Sequence, residues 1–391
     1  MAKTRTTPTT PATPPSPTAR PARAAKPAST PAPRRRPARA AATAPLDLAL
    51  QGGGSHGAFT WGVLDRLLQD ESLPIAAVSG TSAGALNAAV LACGWAAGGR
   101  AGARTALAAF WHDVGGQQAC FGTAVPAMPA PADVDLSLFN LNQNPFYAWF
   151  NGFLRLFSPQ QFNPLGLDPL RRIVERHVRP EMLMASPLRV FVTATQVRTG
   201  QARVFDNVRG PGCKGDLDVP ALLASACLPQ LFAPVMIDGE AYWDGGYSGN
   251  PALWPLIYCS EATDLLLVRI NALSRPSVPD TAEEIADRVN EITFNAGLLG
   301  ELRAIAFVQK LVAEGRLGSG DYKNLRLHMV ADDAGLAPLG PSSKMNTNIA
   351  FLQALHALGL AAADRWLAEH RADVGVRGSL DIRKTFLAPG A

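Results

Sequence analysis

The stretch "LDLALQGGGSHGAFTWGVLDRLLQDESLPIAAVSGTSAG", residues 46–84, decides the fold. It opens on an apolar run at 46–51 that suits a buried strand. Three glycines follow, Gly52, Gly53 and Gly54, and then Phe59, Val63, Leu64, Leu67 and Leu68 recur at helical spacing. "IAAVSG" at 75–80 is a second strand, and "SAGALNAAVLACGWAA" from Ser82 is a helix rich in small residues. Strand, helix and strand within about 30 residues is the length of a βαβ unit. Its two strands run parallel, so the loop after each leaves the sheet at the same edge. The glycine loop at 52–57 and the turn at 80–84 are therefore expected side by side, at the carboxyl edge where open α/β sheets bind ligands.

Outward from this unit, "LRVFVTATQV" at 188–197, "DLLLVRI" at 264–270 and "LRLHMVA" at 325–331 read as further strands, and 280–315 and 344–370 as long helices. The expected class is α/β, a three-layer α/β/α sandwich on a mostly parallel sheet, spanning residues 46–375, with 376–391 a C-terminal tail. Within it, residues 115–162 form an aromatic, lid-like insertion in which Phe139, Phe146, Tyr147, Trp149, Phe150, Phe153 and Phe157 crowd together. A buried helical hairpin and a lid over an apolar site are the two readings of that segment.

Residues 1–45 hold eleven prolines, nine Lys or Arg and no acid, which reads as a disordered basic tail. The remainder carries 27 basic against 32 acidic residues, so the positive balance of the chain belongs to the tail. Its "PRRRPAR" at 33–39 is either solvated linker or a weak dock for anionic lipid, nucleic acid or an acidic granule surface, with a membrane or lipid granule favoured over nucleic acid. The tail lacks the apolar core of a secretory signal, and its prolines disfavour an amphipathic transit helix. Five scattered cysteines without CxxC spacing fit a reducing compartment and no zinc site. The expected location is cytoplasmic, peripheral at a membrane or lipid surface at most.

Bare N–H groups at a helix start hold anions, so the glycine loop suits either a phosphate or a transient oxyanion. The P-loop reading lacks the Lys-Ser or Lys-Thr pair that would follow. The turn Gly80–Gly84, "GTSAG", has the GxSxG form in which a serine occupies a tight strand-to-helix corner with its hydroxyl above the sheet. Ser82 is the candidate nucleophile. A serine needs a base, and none of the six histidines, His56, His112, His177, His328, His356 and His370, stands in an evident catalytic turn. Asp244, in "EAYWDGGYSGNP" with Gly245 and Gly246 after it, is the alternative base. Asp238 is explained as the turn of a hairpin in "VMIDGEAYW".

"GGGSHG", "GTSAG" and "DGG" in that order resemble the patatin-like phospholipase family, whose pattern is GGGxRG, GxSxG and DGG or DGA. The resemblance runs more loosely through "FNPLGLDPLR" at 162–171 and "PSSKMNTNIAFLQALHALGLAAADRWL" at 341–367. It implies a phospholipase A, lysophospholipase or lipid esterase with a Ser82–Asp244 dyad and an oxyanion loop of Gly52, Gly53, Gly54 and Gly57. Its substrate would be a phospholipid or other acyl-ester lipid, with no cofactor and no metal. His56 stands where the family has arginine. Three other readings stay open: a Ser-His-Asp hydrolase using His356 or His370, an acyltransferase, and a lipid- or granule-binding protein with a degenerate site.

Overall fold

Leu46, Leu48 and Leu50 send their side chains into one core and Ala49 into another, as an unalternated apolar run does when it is an interior parallel strand. The computed structural model describes residues 44–116, 135–141, 158–162, 168–210, 213–275, 277–318 and 322–388. The chain divides into two units, and the one running from Thr43 to Ala391 carries the fold described here. The basic tail lies outside the described residues, as do Phe146, Tyr147, Trp149, Phe150, Phe153 and Phe157 of the aromatic segment.

Strands β1 (Leu46–Leu50), β2 (Ile75–Thr81), β3 (Arg189–Gln196), β4 (Ala202–Asp206), β5 (Val235–Ile237), β6 (Glu240–Asp244), β7 (Asp264–Val268) and β8 (Arg326–Val330) form one eight-stranded sheet. Its order is β8-β7-β1-β2-β3-β6-β5, with β4 on the other edge of β3. The first five strands in that order are parallel, and β4, β5 and β6 join antiparallel. The β5–β6 hairpin turns on Asp238 and Gly239, at φ 53° and 80°, as the Asp-Gly pair predicts.

One face of the sheet packs on α1 (Gly57–Gln69), α2 (Ala83–Gly115) and α6 (Ile349–His370). The other packs on α5 (Ala282–Ala313) through Leu298, Leu302 and Ile305. The sandwich therefore has the expected three layers. Two shorter helices, α3 (Pro169–His177) and α4 (Val219–Ser225), cover the first core near the antiparallel end of the sheet. Within α2 the backbone leaves helical geometry at Gly98 and Gly99, so the small-residue helix ends there and a second begins.

Two findings refine the expected boundaries. In the segment expected as a tail, 376–391, the Leu380 N–H donates to the Leu327 carbonyl at 2.9 Å and Ile382 is buried in the second core. Phe386 and Leu387 pack there too, so this segment closes the layer beside α5. At the aromatic insertion, Phe139 is buried and stacked on Phe351 at 4.9 Å, which makes this residue core rather than lid.

Helices α1 and α6 approach so closely that a Cβ on Gly359 would collide with the Phe59 carbonyl, and one on Gly62 with the His356 carbonyl. Gly359→Val is expected to lower the unfolding free energy by about 1–3 kcal/mol through overpacking. Urea denaturation reads this directly, and an unchanged midpoint would show that the helices part without cost.

Candidate active site

Strand β2 ends at Thr81, and the chain turns into α2 at Ser82 with φ 53° and ψ −125°. A non-glycine residue there is strained by about 1–3 kcal/mol and persists only where its surroundings over-determine it. Gly80 and Gly84 make room, since the turn stacks their backbones on one another and on the Leu50 carbonyl. The Ser82 N–H donates to Ser225 Oγ at 2.9 Å, and only 8% of the residue is exposed.

The neighbouring loop is held in register by the sheet. Leu50 pairs with Gly80, so Gly52 follows β1 directly beside Ser82, and a Cβ on Gly52 would stand 2.7 Å from that of the serine. The four glycines expected to share one role divide into three. The Gly52 N–H is already committed to Asn250 Oδ1 at 2.6 Å, and its carbonyl accepts from Asn271 Nδ2 at 2.8 Å. Gly57 is the first residue of α1, packed beneath Trp111 and Ala83, with its carbonyl bonded to Asn87. Gly53 and Gly54 line the cavity and open a short 3₁₀ turn, where the first N–H groups have no acceptor within their own turn. Gly54 sits at φ 56° against the Lys344 carbonyl, a conformation and a contact that exclude a side chain.

Asp244 reaches Ser82 through a shared strand edge. β4 occupies one edge of β3, so β2 and β6 must both use the other, arriving from opposite ends. Thr81 lies opposite Thr193, and Asp244 opposite Ala194, the next position along. Both strands stop there, and the side chains that follow meet. The Asp244 N–H donates to the Cys227 carbonyl at 2.7 Å, and the Asp244 carbonyl accepts from Thr195 Oγ1 at 2.8 Å. Carboxylate Oδ1 accepts the Gly246 N–H at 2.7 Å, so the DGG motif caps its own turn. Oδ2 is buried and makes no bond of full hydrogen-bonding geometry, yet the Ser82 hydroxyl is near enough to favour its charged form. Burial pushes the Asp244 pKa up to about 7, against the Gly246 N–H, the Ser82 hydroxyl and the Lys344 ammonium, which pull it down.

No histidine lines this cavity among the described residues. His356 bonds Asp65 and lies against Trp61, while His370 bonds Asp373, which removes both from a Ser-His-Asp arrangement. His328 bonds Asp264 and Ser379 inside the sheet layer. His56 is buried, with Nε2 at 2.8 Å from Ser343 Oγ, and that hydroxyl donates to the Gly340 carbonyl. The imidazole is thus an Nε2–H donor, and burial followed by repulsion from Lys344 holds its pKa well below the ordinary value.

The cavity, about 630 Å³, is walled by Leu86, Phe110, Trp111, Leu170, Ile173 and Phe232 on its apolar side. Asp244, Asp287, Glu291 and Lys344 supply its charged groups, with Ser82 beside them. Several residues that shape it escape the motifs. Gln51, Asn250 and Asn271 hold Gly52 from below, Ser225 holds the Ser82 amide, and Lys344 Nζ donates to Asn271 Oδ1 at 2.8 Å. Gln51 and Asn271 follow the carboxyl ends of parallel strands, the one signal that would have drawn attention to them.

A family model for patatin-like phospholipase matches residues 48–257. The chain belongs to that family. It is a lipid acyl-ester hydrolase. Among curated proteins, none matches. Among solved structures it is similar to VipD from Legionella pneumophila, at 11% identity and TM-score 0.36, covering 87% of this chain and 72% of that one. The type III effector ExoU aligns at 16% identity and TM-score 0.26, over 84% of this chain and 59% of that one. ExoU in its complex with SpcU from Pseudomonas aeruginosa aligns at 19% and 0.23, over 66% and 50%. This chain thus spans between half and about three-quarters of those proteins. No helix among the described residues is long and apolar enough to cross a membrane.

The raised Asp244 pKa has a thermodynamic consequence. Between the ordinary carboxyl value of 3.8 and about 7 the folded chain holds a proton that the unfolded chain releases. Stability contributed by this group is therefore lost as pH rises through that window. Asp244→Asn removes the effect, so its stability relative to the parent chain is expected to grow from pH 4 to pH 7 and stay level above. Urea titrations at pH 4.5, 6 and 8 check this.

Proposed function

We propose that the protein cleaves phospholipids or other acyl-ester lipids through an acyl-enzyme, with Ser82 as nucleophile and Asp244 as base. The observation that carries this reading is the meeting of β2 and β6 on one edge of β3, which sets a strained serine and a buried carboxyl together on an apolar cavity. Asp244 takes the proton from Ser82 Oγ as that oxygen bonds to the ester carbonyl carbon. The carbonyl oxygen becomes an oxyanion, received by the Gly53 and Gly54 N–H groups, which are fixed before reaction and so cost no reorganisation. Collapse expels the alcohol or lysolipid oxygen, which leaves with the proton from Asp244. Water then attacks the acyl carbon, its proton passing to Asp244 and on to Ser82 Oγ as the bond from that oxygen to the acyl carbon breaks, and the fatty acid departs.

A carboxylate of ordinary pKa is a feeble base for a hydroxyl, and burial that lifts it to about 7 narrows the gap while leaving it about half ionised at neutral pH and more fully so above. The apolar wall suits an acyl chain, which has no hydrogen-bonding needs to satisfy. Contact of the basic tail and the aromatic segment with a membrane or granule belongs to this proposal as the route to aggregated substrate.

Ser82→Ala is expected to abolish ester turnover and covalent labelling by a fluorophosphonate with the fold intact, and full esterase activity in that variant would sink the assignment. Asp244→Asn is expected to lose nearly all turnover. In the parent chain, kcat/KM on a soluble p-nitrophenyl ester is expected to fall tenfold per unit below about pH 7 and to level off above it. Gly54→Ala forces a side chain into the left-handed region and against the Lys344 carbonyl. By displacing an oxyanion donor it is expected to lower kcat by about 10²–10³ with little change in KM, read by steady-state kinetics.

A further inference from the structure

We infer that Lys344 is a positioning residue for the reaction, supplying from outside the glycine loop the fixed positive charge that steadies both the Gly53–Gly54 donors and the Asp244 base. The family pattern puts an arginine inside the loop, and this chain has His56 there. His56 does not line the cavity; its Nε2–H is spent on Ser343, and its imidazole is neutral. A cation nonetheless arrives at the same loop from the 3₁₀ turn Pro341–Met345, 288 positions further along the chain.

Lys344 meets the loop once directly and once through Asn271. Its carbonyl lies against Gly54, where a Cβ would otherwise stand. Its ammonium donates to Asn271 Oδ1 at 2.8 Å, and the same Asn271 amide donates through Nδ2 to the Gly52 carbonyl at 2.8 Å. The ammonium charge thus polarises an amide that grips the peptide leading to the Gly53 N–H. The side chain also lines the cavity with Asp244.

Burial lowers the Lys344 pKa from its ordinary value and Arg275 in the loop after β7 adds to this, while Glu291 and Asp287 on α5 and Asp244 at the end of β6 favour the charged ammonium. Glu291 is already paired with Arg275 and Arg288, so it does not absorb the Lys344 charge alone. Asp244 further faces Cys227 and Tyr247, whose pKa values are both raised by burial, so both are neutral near pH 7. Among these partners Lys344 is the cation that favours ionised Asp244. An opposite charge favours the ionised form of a carboxyl, so removing the ammonium disfavours the base as it loosens the donors.

The inference rests on the Ser82–Asp244 reading and is tested apart from it. Lys344→Gln keeps a donor for Asn271 without the charge, and Lys344→Arg keeps the charge. With kcat/KM and the fluorophosphonate labelling rate measured against pH, Lys344→Gln is expected to move the acid limb up by about one pH unit. Below the limb its rate is then about tenfold lower than that of the parent chain. Lys344→Arg is expected to leave the limb in place. Should the Gln variant unfold by circular dichroism, Lys344→Met is read the same way. A folded, uncharged variant whose limb stays at the parent position overturns the inference, as does an equal shift in the Arg variant, which would make the residue mere packing. Turnover retained by Ser82→Ala or Asp244→Asn would instead strike the underlying reading.

Discussion

The edge of β3 that faces β2 is the constraint on which the site depends. One strand edge offers one row of hydrogen-bonding groups, and here two strands use it from opposite directions, β2 as far as Thr193 and β6 as far as Ala194. Neither can lengthen without displacing the other. The chain must leave the sheet at both ends of that meeting point, so Ser82 is turned out at positive φ and Asp244 is caught in the fully buried space behind it. Strain at the serine and desolvation of the carboxyl both cost stability, and the surrounding sheet hydrogen bonds offset them.

Beneath the glycine loop lies a layer of buried amides. Gln51 Oε1 accepts the Ile270 and Asn271 N–H groups at 2.9 and 3.0 Å, and Asn250 and Asn271 clamp Gly52 from both sides. A buried polar network satisfied in this way is rigid, because breaking any member leaves another unpaired in a low-dielectric interior. That rigidity fixes the Gly52 peptide and with it the start of the 3₁₀ turn at Gly53 and Gly54. The electrostatics follow the same division of labour. His56 has become a neutral structural donor to Ser343, and Lys344 brings a cation to the loop from a distant turn.

Much of the architecture was legible because it follows from local rules. Short runs rich in apolar residues marked β1, β2, β3, β7 and β8, and the Asp238–Gly239 pair marked the hairpin. Chain direction across a βαβ crossover placed the glycine loop beside the Ser82 turn. The docking of residues 377–388 was not legible, since Ile382, Phe386 and Leu387 gain meaning only against a core assembled from β7, β8 and α5.

The sequence by itself determined the parallel sheet, the two glycine-rich turns and the candidate acid, since each is written in residues adjacent along the chain. Tertiary structure alone decided which groups surround Ser82 and the glycine loop. It spent the Gly52 N–H on Asn250, turned Gly57 into packing, took His356 and His370 away to Asp65 and Asp373, and brought in Asn271 and Lys344. The physical reason is that a hydrogen bond or a pKa belongs to whatever surrounds an atom in space. Those surroundings come from elements up to 291 residues apart.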